Sequence, residues 1–110
     1  MLFDRDRYDI LMEFAIMIDV GKGMFSLISI LDADKVLPHR WTVKRKSSRW
    51  YAVTKITNRN TVHYVTMHRL IMDAPPDLEV HHRNGWTLDN RRSNLELITP
   101  VAHREFHATG

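Results

Sequence analysis

Seven histidines and no cysteine stand among the 110 residues, so metal or acid–base chemistry in this chain falls to imidazole, carboxylate and amide groups rather than thiolates. Four of the seven, His81, His82, His103 and His107, lie in the last thirty residues. An imidazole titrates near neutral pH, which suits it to take a proton from water, and its neutral form is a common ligand for divalent metal ions. His81 and His82 are adjacent; on a strand they point to opposite faces and need different jobs. His103 and His107 are four residues apart. On a helix that spacing puts their Cβ atoms about 5 to 6 Å apart, close enough for two imidazoles to share one ion. Asn94 falls twelve residues after His82 and nine before His103. Each histidine alone reads as a solvated or satisfied side chain. The ordered set is far more specific than any pair within it.

The elements around these residues determine how they can meet. Val80-His81-His82 ends a short apolar strand, Arg83 to Ser93 is a polar loop, and Asn94 to Ile98 alternates as a second strand. Thr99-Pro100 supplies an N-cap and the proline favoured at the first helical position, so a helix carrying His103 and His107 closes the chain. Upstream, Met67 to Met72 reads as a short helix stopped by Asp73-Ala74-Pro75-Pro76, with His68 in a structural role, packing that helix against the histidine-bearing segment. Trp41 to Lys46, Trp50 to Ile56 and Val62 to Thr66 are rich in aromatic and β-branched residues and predict a three-stranded antiparallel meander. On its first strand Trp41, Val43 and Arg45 alternate with Thr42, Lys44 and Lys46, so one face can pack while the other presents ammonium groups; Trp41, Trp50 and Tyr51 read as core. Earlier still, Arg7 to Ile18 has helical spacing, although Phe14 to Ile18 could equally open a strand. Gly21 and Gly23 turn the chain into a strand over Met24 to Ile30, ended by the Asp32-Ala33-Asp34 cap of a short helical turn.

Charge is partitioned along this plan. Residues 1–34 carry −4 and residues 73–110 carry −2, whereas residues 35–72 hold nine Lys and Arg and no Asp or Glu. Such a segment repels itself unless solvent or a polyanion attends it, which suggests nucleic acid without establishing it. Duplex DNA admits a β-ribbon in its major groove, where Lys or Arg can meet phosphates or the edge of guanine. The candidates are Lys44, Arg45, Lys46, Arg49, Lys55 and Arg59. A chain of 13.0 kDa with 44% hydrophobic residues has room for one modest core. Its longest apolar run, Met24 to Leu31, is broken by serines and falls far short of the roughly 20 residues a membrane span needs. Asp4, Asp6 and Asp9 stand where a signal peptide would be basic, so no membrane association and a cytoplasmic site are the expectations.

Met67-His68-Arg69-Leu70-Ile71-Met72, Val80-His81-His82-Arg83-Asn84-Gly85 and Leu88-Asp89-Asn90-Arg91-Arg92-Ser93-Asn94-Leu95 together resemble the HNH nuclease family, its phage-type homing endonucleases in particular. Gly23 to Ile28, Arg40-Trp41 and Trp50-Tyr51-Ala52 resemble the segment that precedes the motif in those proteins, so the resemblance starts near residue 13 and is strongest after residue 67. It implies an α+β fold, a small antiparallel β-sheet followed by a C-terminal ββα-metal finger over residues 79–107. The whole, residues 1–110, would be one domain, with residues 1–66 as a β-rich, basic, DNA-contacting part and 67–110 as the HNH part. It implies His82 as general base, His81 and His103 as metal ligands, and Asn94 as the asparagine that braces the loop and so orients the base. His107 corresponds to an additional ligand in the branch typified by the nuclease colicins. Homing members usually place Asp at the position of His81, and many place Asn at that of His103, so this set is richer in nitrogen. One divalent ion is expected, Mg²⁺ or Mn²⁺ for activity, or the Zn²⁺, Ni²⁺ or Co²⁺ that imidazoles favour.

The activity implied is hydrolysis of DNA phosphodiester bonds by a monomer or homodimer, with nicking of duplex DNA as the default. Arg83, Arg91 and Arg92 sit in or beside the loop, placed either to position phosphate or to bridge Asp89 or Glu96 and hold the loop closed. Two other functions compete. One is a non-catalytic DNA-binding or regulatory protein that keeps the finger as a metal-stapled scaffold and has no use for His82. The other is a structural part of a larger assembly whose acidic partner meets the basic middle.

Overall fold

Ile16, Ile18 and Val20 turn inward while Ala15, Met17 and Asp19 face out, the period-two pattern that makes a half-covered strand. This is the first strand, β1 (Ala15–Gly21), of a computed structural model that describes residues 14–109, with side chains in the closing helix as far as Arg104. The helical spacing expected across Arg7 to Ile18 is therefore overturned at its end. Residues 15–18 are strand because β2 (Met24–Ser29) supplies an antiparallel partner, pairing Met17 with Leu27 and Ile18 with Ser26. Residues 7–13 lie outside the described part.

A 3₁₀ turn over Ile30–Asp32 and helix α1 (Ala33–Val36) follow. The helical turn is as expected, but the Asp32 side chain makes no capping bond and its carboxylate turns elsewhere, as described below. The meander forms as predicted: β3 (Thr42–Lys46), β4 (Arg49–Asn58) and β5 (Thr61–Thr66) make an antiparallel sheet in that order. Pairing with β3 stops at Val53, so beyond it β4 and β5 run on as a two-stranded ribbon to the turn at Arg59 and Asn60.

Helix α2 (Met67–Met72) leads to a hairpin-like pair, β6 (Glu79–His82) and β8 (Leu95–Ile98), and the chain closes with α3 (Pro100–Thr109). Thr99 caps that helix as expected, its Oγ1 accepting the Ala102 amide proton at 3.1 Å. The segment between β6 and β8 is not all loop. Asp89–Asn90 forms β7, which lies parallel to β2 in register Leu27 with Asp89 and Ile28 with Asn90. Arg92–Asn94 adds a 3₁₀ turn, so Asn94 precedes the second strand instead of opening it.

This pairing decides the architecture. Through β7 the histidine-bearing segment joins the sheet of the first hairpin, and one apolar cluster draws Val20 and Ile28, Trp41 and Val43, Met67 and Ile71, Val80 and Leu95 together. Trp41 is in that core, with its indole N–H given to the Val36 carbonyl at 2.8 Å. Tyr51 is not; it belongs to a cleft described next. The described residues form an α+β fold with few helices, its sheets antiparallel except for the short parallel β2–β7 pair. Among the described residues no helix is long and apolar enough to cross a membrane.

Candidate functional site

Alternation along β6 sends its two histidines to opposite sides, and the structure gives each side a separate set of neighbours. Both rings are buried, His81 to 4% and His82 to 6% exposure. On one side the His81 and His103 rings meet edge-on with centroids 5.4 Å apart. Glu79, two residues before His81 and thus on the same face of β6, bonds the Nδ1 of His103. A carboxylate on Nδ1 holds the proton there and leaves Nε2 as the lone-pair nitrogen, the arrangement by which metal-ligating histidines are usually braced. His81 and His103 are the described residues that could offer ring nitrogens to a divalent metal, with Glu79 behind His103. Among the described residues no group of three or more His, Asp or Glu side chains is arranged to hold a metal ion. The remaining expected ligand, His107, is on α3, and its side chain lies outside the described part.

On the other side, His82 Nε2 is 2.8 Å from Asn90 Oδ1, and its ring stacks edge-on against His68 at 4.9 Å. Tyr51, from β4, completes the group at 5.6 Å from His68 and 6.3 Å from His82. Burial lowers His68 to about 3, helped by the charges of His82, Arg69 and Lys46. Burial also holds His82 below the ordinary imidazole value; the Asn90 bond and the Asp89 carboxylate pull the other way without reversing it. Both rings are neutral at pH 7. His68, expected in a structural role, also lines the cleft described below.

The loop that carries Asn90 is held by amides and carboxylates. Asn94 accepts the Asn84 backbone N–H at Oδ1 and donates from Nδ2 to the Asp89 carbonyl, both at 2.9 Å, so it ties two points of the loop together. The side chain hydrogen-bonded to the His82 ring is Asn90. Asp89 receives the Arg91 guanidinium at 2.7 and 2.6 Å and the Asn84 amide at 2.8 Å. Burial alone would raise the Asp89 carboxyl; these bonds outweigh it and hold it below the usual range. Arg92 gives its Nε proton to the buried Asp32 carboxylate at 2.9 Å and an Nη2 proton to the Ile71 carbonyl at 3.1 Å. Arg83 faces Glu96 at 3.8 Å, with both side chains largely solvated. The three loop arginines thus sit against carboxylates.

The meander cations are placed differently. Directly paired strand residues share a face, so Lys44 with Tyr51, Lys46 with Arg49 and Lys55 with Tyr64 form one continuous side of the sheet. That side lines a cleft of about 750 Å³ together with His68, His81, His82 and His103, so the two histidines of β6, for all their separate neighbours, both border it. Arg45 points to the other sheet face but reaches the rim of the cleft; Arg59 stands at the ribbon tip in a left-handed conformation with φ 52°. Lys44 lies over the Tyr64 ring at 3.7 Å, and Arg49 donates to the Gly85 carbonyl at 3.0 Å, tying the sheet to the loop.

Sequence reasoning missed Glu79, Asn90, Ser26 and Tyr51. Glu79 was findable, since it shares the strand parity of His81. Ser26 was not: it lies 64 residues from the Asn90 it touches, on a strand whose partner no local pattern announces. Comparison with protein-family models, with curated proteins and with solved structures finds no match to this chain.

Proposed function

We propose that the chain is a metal-dependent DNA endonuclease of the HNH type that nicks duplex DNA. The observation that carries this reading is the cleft, in which a neutral buried histidine and a carboxylate-braced histidine pair face a cationic sheet. Hydrolysis of a phosphodiester needs a water relieved of a proton as it attacks phosphorus, compensation of the charge that builds on the phosphoryl oxygens, and departure of the 3′ oxygen. His82 takes the water proton: a base must be unprotonated at the working pH, and burial keeps it so. Lys44, Lys46 and Arg49 hold backbone phosphates against the sheet, with Lys55 and Arg59 extending the track along the ribbon. Asn94 keeps the loop in shape, and Arg91 and Arg92 serve the fold instead of the phosphate. His81 and His103, with His107 as the third ligand that the resemblance implies, would hold a divalent ion, which would supply positive charge to polarise the scissile phosphate and ease loss of the 3′ oxygen.

The test is a plasmid gel. Metal-stripped protein is incubated with supercoiled DNA and Mg²⁺, Mn²⁺, Ni²⁺, Co²⁺ or Zn²⁺ in turn. Nicked circles that need a metal are expected, and His82→Ala should slow their formation by about 10²-fold or more while leaving DNA binding intact. Undamaged plasmid under every metal, together with salt-sensitive binding, would favour the non-catalytic scaffold. Absence of binding as well would remove DNA as the partner.

A further inference from the structure

A hydrogen-bond chain reaches His82 from outside the histidine-bearing segment, and its chemistry permits only one direction of donation. It starts at the Leu88 carbonyl, which can only accept. Ser26, on β2, has its Oγ 2.7 Å from that oxygen and 3.3 Å from Met67 Sδ, which likewise can only accept. Whichever of the two takes the hydroxyl proton, Ser26 is left with lone pairs toward its remaining neighbour, Asn90, 2.9 Å away. Asn90 must therefore present its NH₂ to Ser26 and its carbonyl oxygen to His82 Nε2, 2.8 Å beyond. An amide oxygen cannot donate, so Nε2 carries the proton and Nδ1 carries the lone pair. The reverse order would swing the hydroxyl proton toward Asn90 and set the Ser26 lone pairs against the Leu88 oxygen at 2.7 Å. Ser26 and Asn90 are fully buried, shut off from bulk solvent, where an unrelieved clash of lone pairs is costly.

We propose that Ser26 and Asn90 are positioning residues that lock His82 in the Nε2–H tautomer, making Nδ1 its basic nitrogen, and that β2 is thereby a working part of the site. The lock stands on hydrogen-bond chemistry alone; its value for catalysis rests on the nuclease reading above. It also gives the short β2–β7 pairing a purpose. Register Ile28 with Asn90 is what brings the carboxamide beside Ser26, so the C-terminal segment cannot set its own base.

The measurement is a long-range ¹H–¹⁵N correlation spectrum of the full-length ¹⁵N-labelled, metal-stripped protein at pH 7.5, with the His82 ring assigned by its loss in His82→Ala. The lock requires a single tautomer with Nε2 protonated. Ser26→Ala frees the carboxamide to turn and should yield a mixture of the two tautomers. Asn90→Asp should retain Nε2–H, since a carboxylate can only accept, and so serves as the conservative rescue. Protonated Nδ1 in the wild-type protein would overturn the proposal without needing any variant to fold, as would one unchanged tautomer in both Ser26→Ala and Asn90→Ala. In the plasmid assay, Ser26→Ala should lower the nicking rate at saturating DNA by about 10- to 100-fold with binding unchanged. A wild-type protein that holds Nε2–H yet never cuts would sink the nuclease and leave the lock standing; one that cuts with Nδ1–H would do the reverse.

Discussion

Arg91 and Arg92 in the C-terminal segment carry the same charge as Lys44 and Lys46 in the meander, yet the two groups are used in opposite ways. The loop arginines are bound by Asp89 and Asp32, carboxylates that are themselves almost wholly buried. Among the described residues no carboxylate pairs with the meander cations, residues 35–72 contain no acid of their own, and several of these cations line an open cleft. What separates a structural cation from one available to a polyanion here is the local supply of carboxylate, not the residue type. Asp32 shows that this supply is a matter of space: it is 60 residues from Arg92 in the chain and 2.9 Å from it in the fold.

The contrast is most sharply broken at Arg92. Arg92→Ala leaves the Asp32 carboxylate buried without its cation and should cost about 3 kcal/mol, read as a lower midpoint in urea denaturation. A loss below about 1 kcal/mol would mean that the loop arginines do not hold the fold and that the two groups are not different in kind.

Acid should act next, through the histidine wall. The folded-state value of His68 is about 3, and that of His82 is also depressed, so below the ordinary value near 6.5 the unfolded chain binds protons that the native state refuses. Stability is then complete above about pH 7 and declines as pH falls from about 6.5 toward 3, and His68→Gln should flatten that decline. Asp89 adds a later loss, since its lowered carboxyl is protonated in the unfolded chain first. A stability profile that is level between pH 7 and 5 would show that these rings are not sealed from water.

The smallest effect on stability belongs to the meander. Lys44→Ala with Lys46→Ala should change unfolding free energy by no more than about 0.5 kcal/mol. The same pair should flatten the dependence of log binding constant on log salt by about 2, one for each phosphate that is no longer neutralised. An unchanged salt slope would show that this face does not carry DNA.

Much of this was legible from residue types. Aromatic and β-branched runs with Ser-Ser and Asn-Arg-Asn breaks gave the meander its strands, and strict alternation on β3 told its packed face from its charged one. Adjacency of His81 and His82 foretold that they would part, and they do, one toward His103 and the other toward Asn90 and His68. Thr99-Pro100 marked the last helix. The misses share a cause. Residues 15–18 carry both helical and strand spacing, and only the arrival of β2 decides between them. Asp32 looked like a cap because a cap is a local contact, whereas its true partner is on the far side of the chain.

The sequence by itself determined the inventory: which groups can take a proton, bind a metal or meet a phosphate, and which stretches must be strand or helix, because alternation, capping and charge are properties of near neighbours. Only the tertiary structure decided which arginines pair with buried carboxylates, which asparagine touches His82 and which ring nitrogen it touches. Those outcomes depend on contacts such as Ser26 with Asn90 and Asp32 with Arg92, between residues 60 or more positions apart, and no pattern within either segment encodes the distance between them.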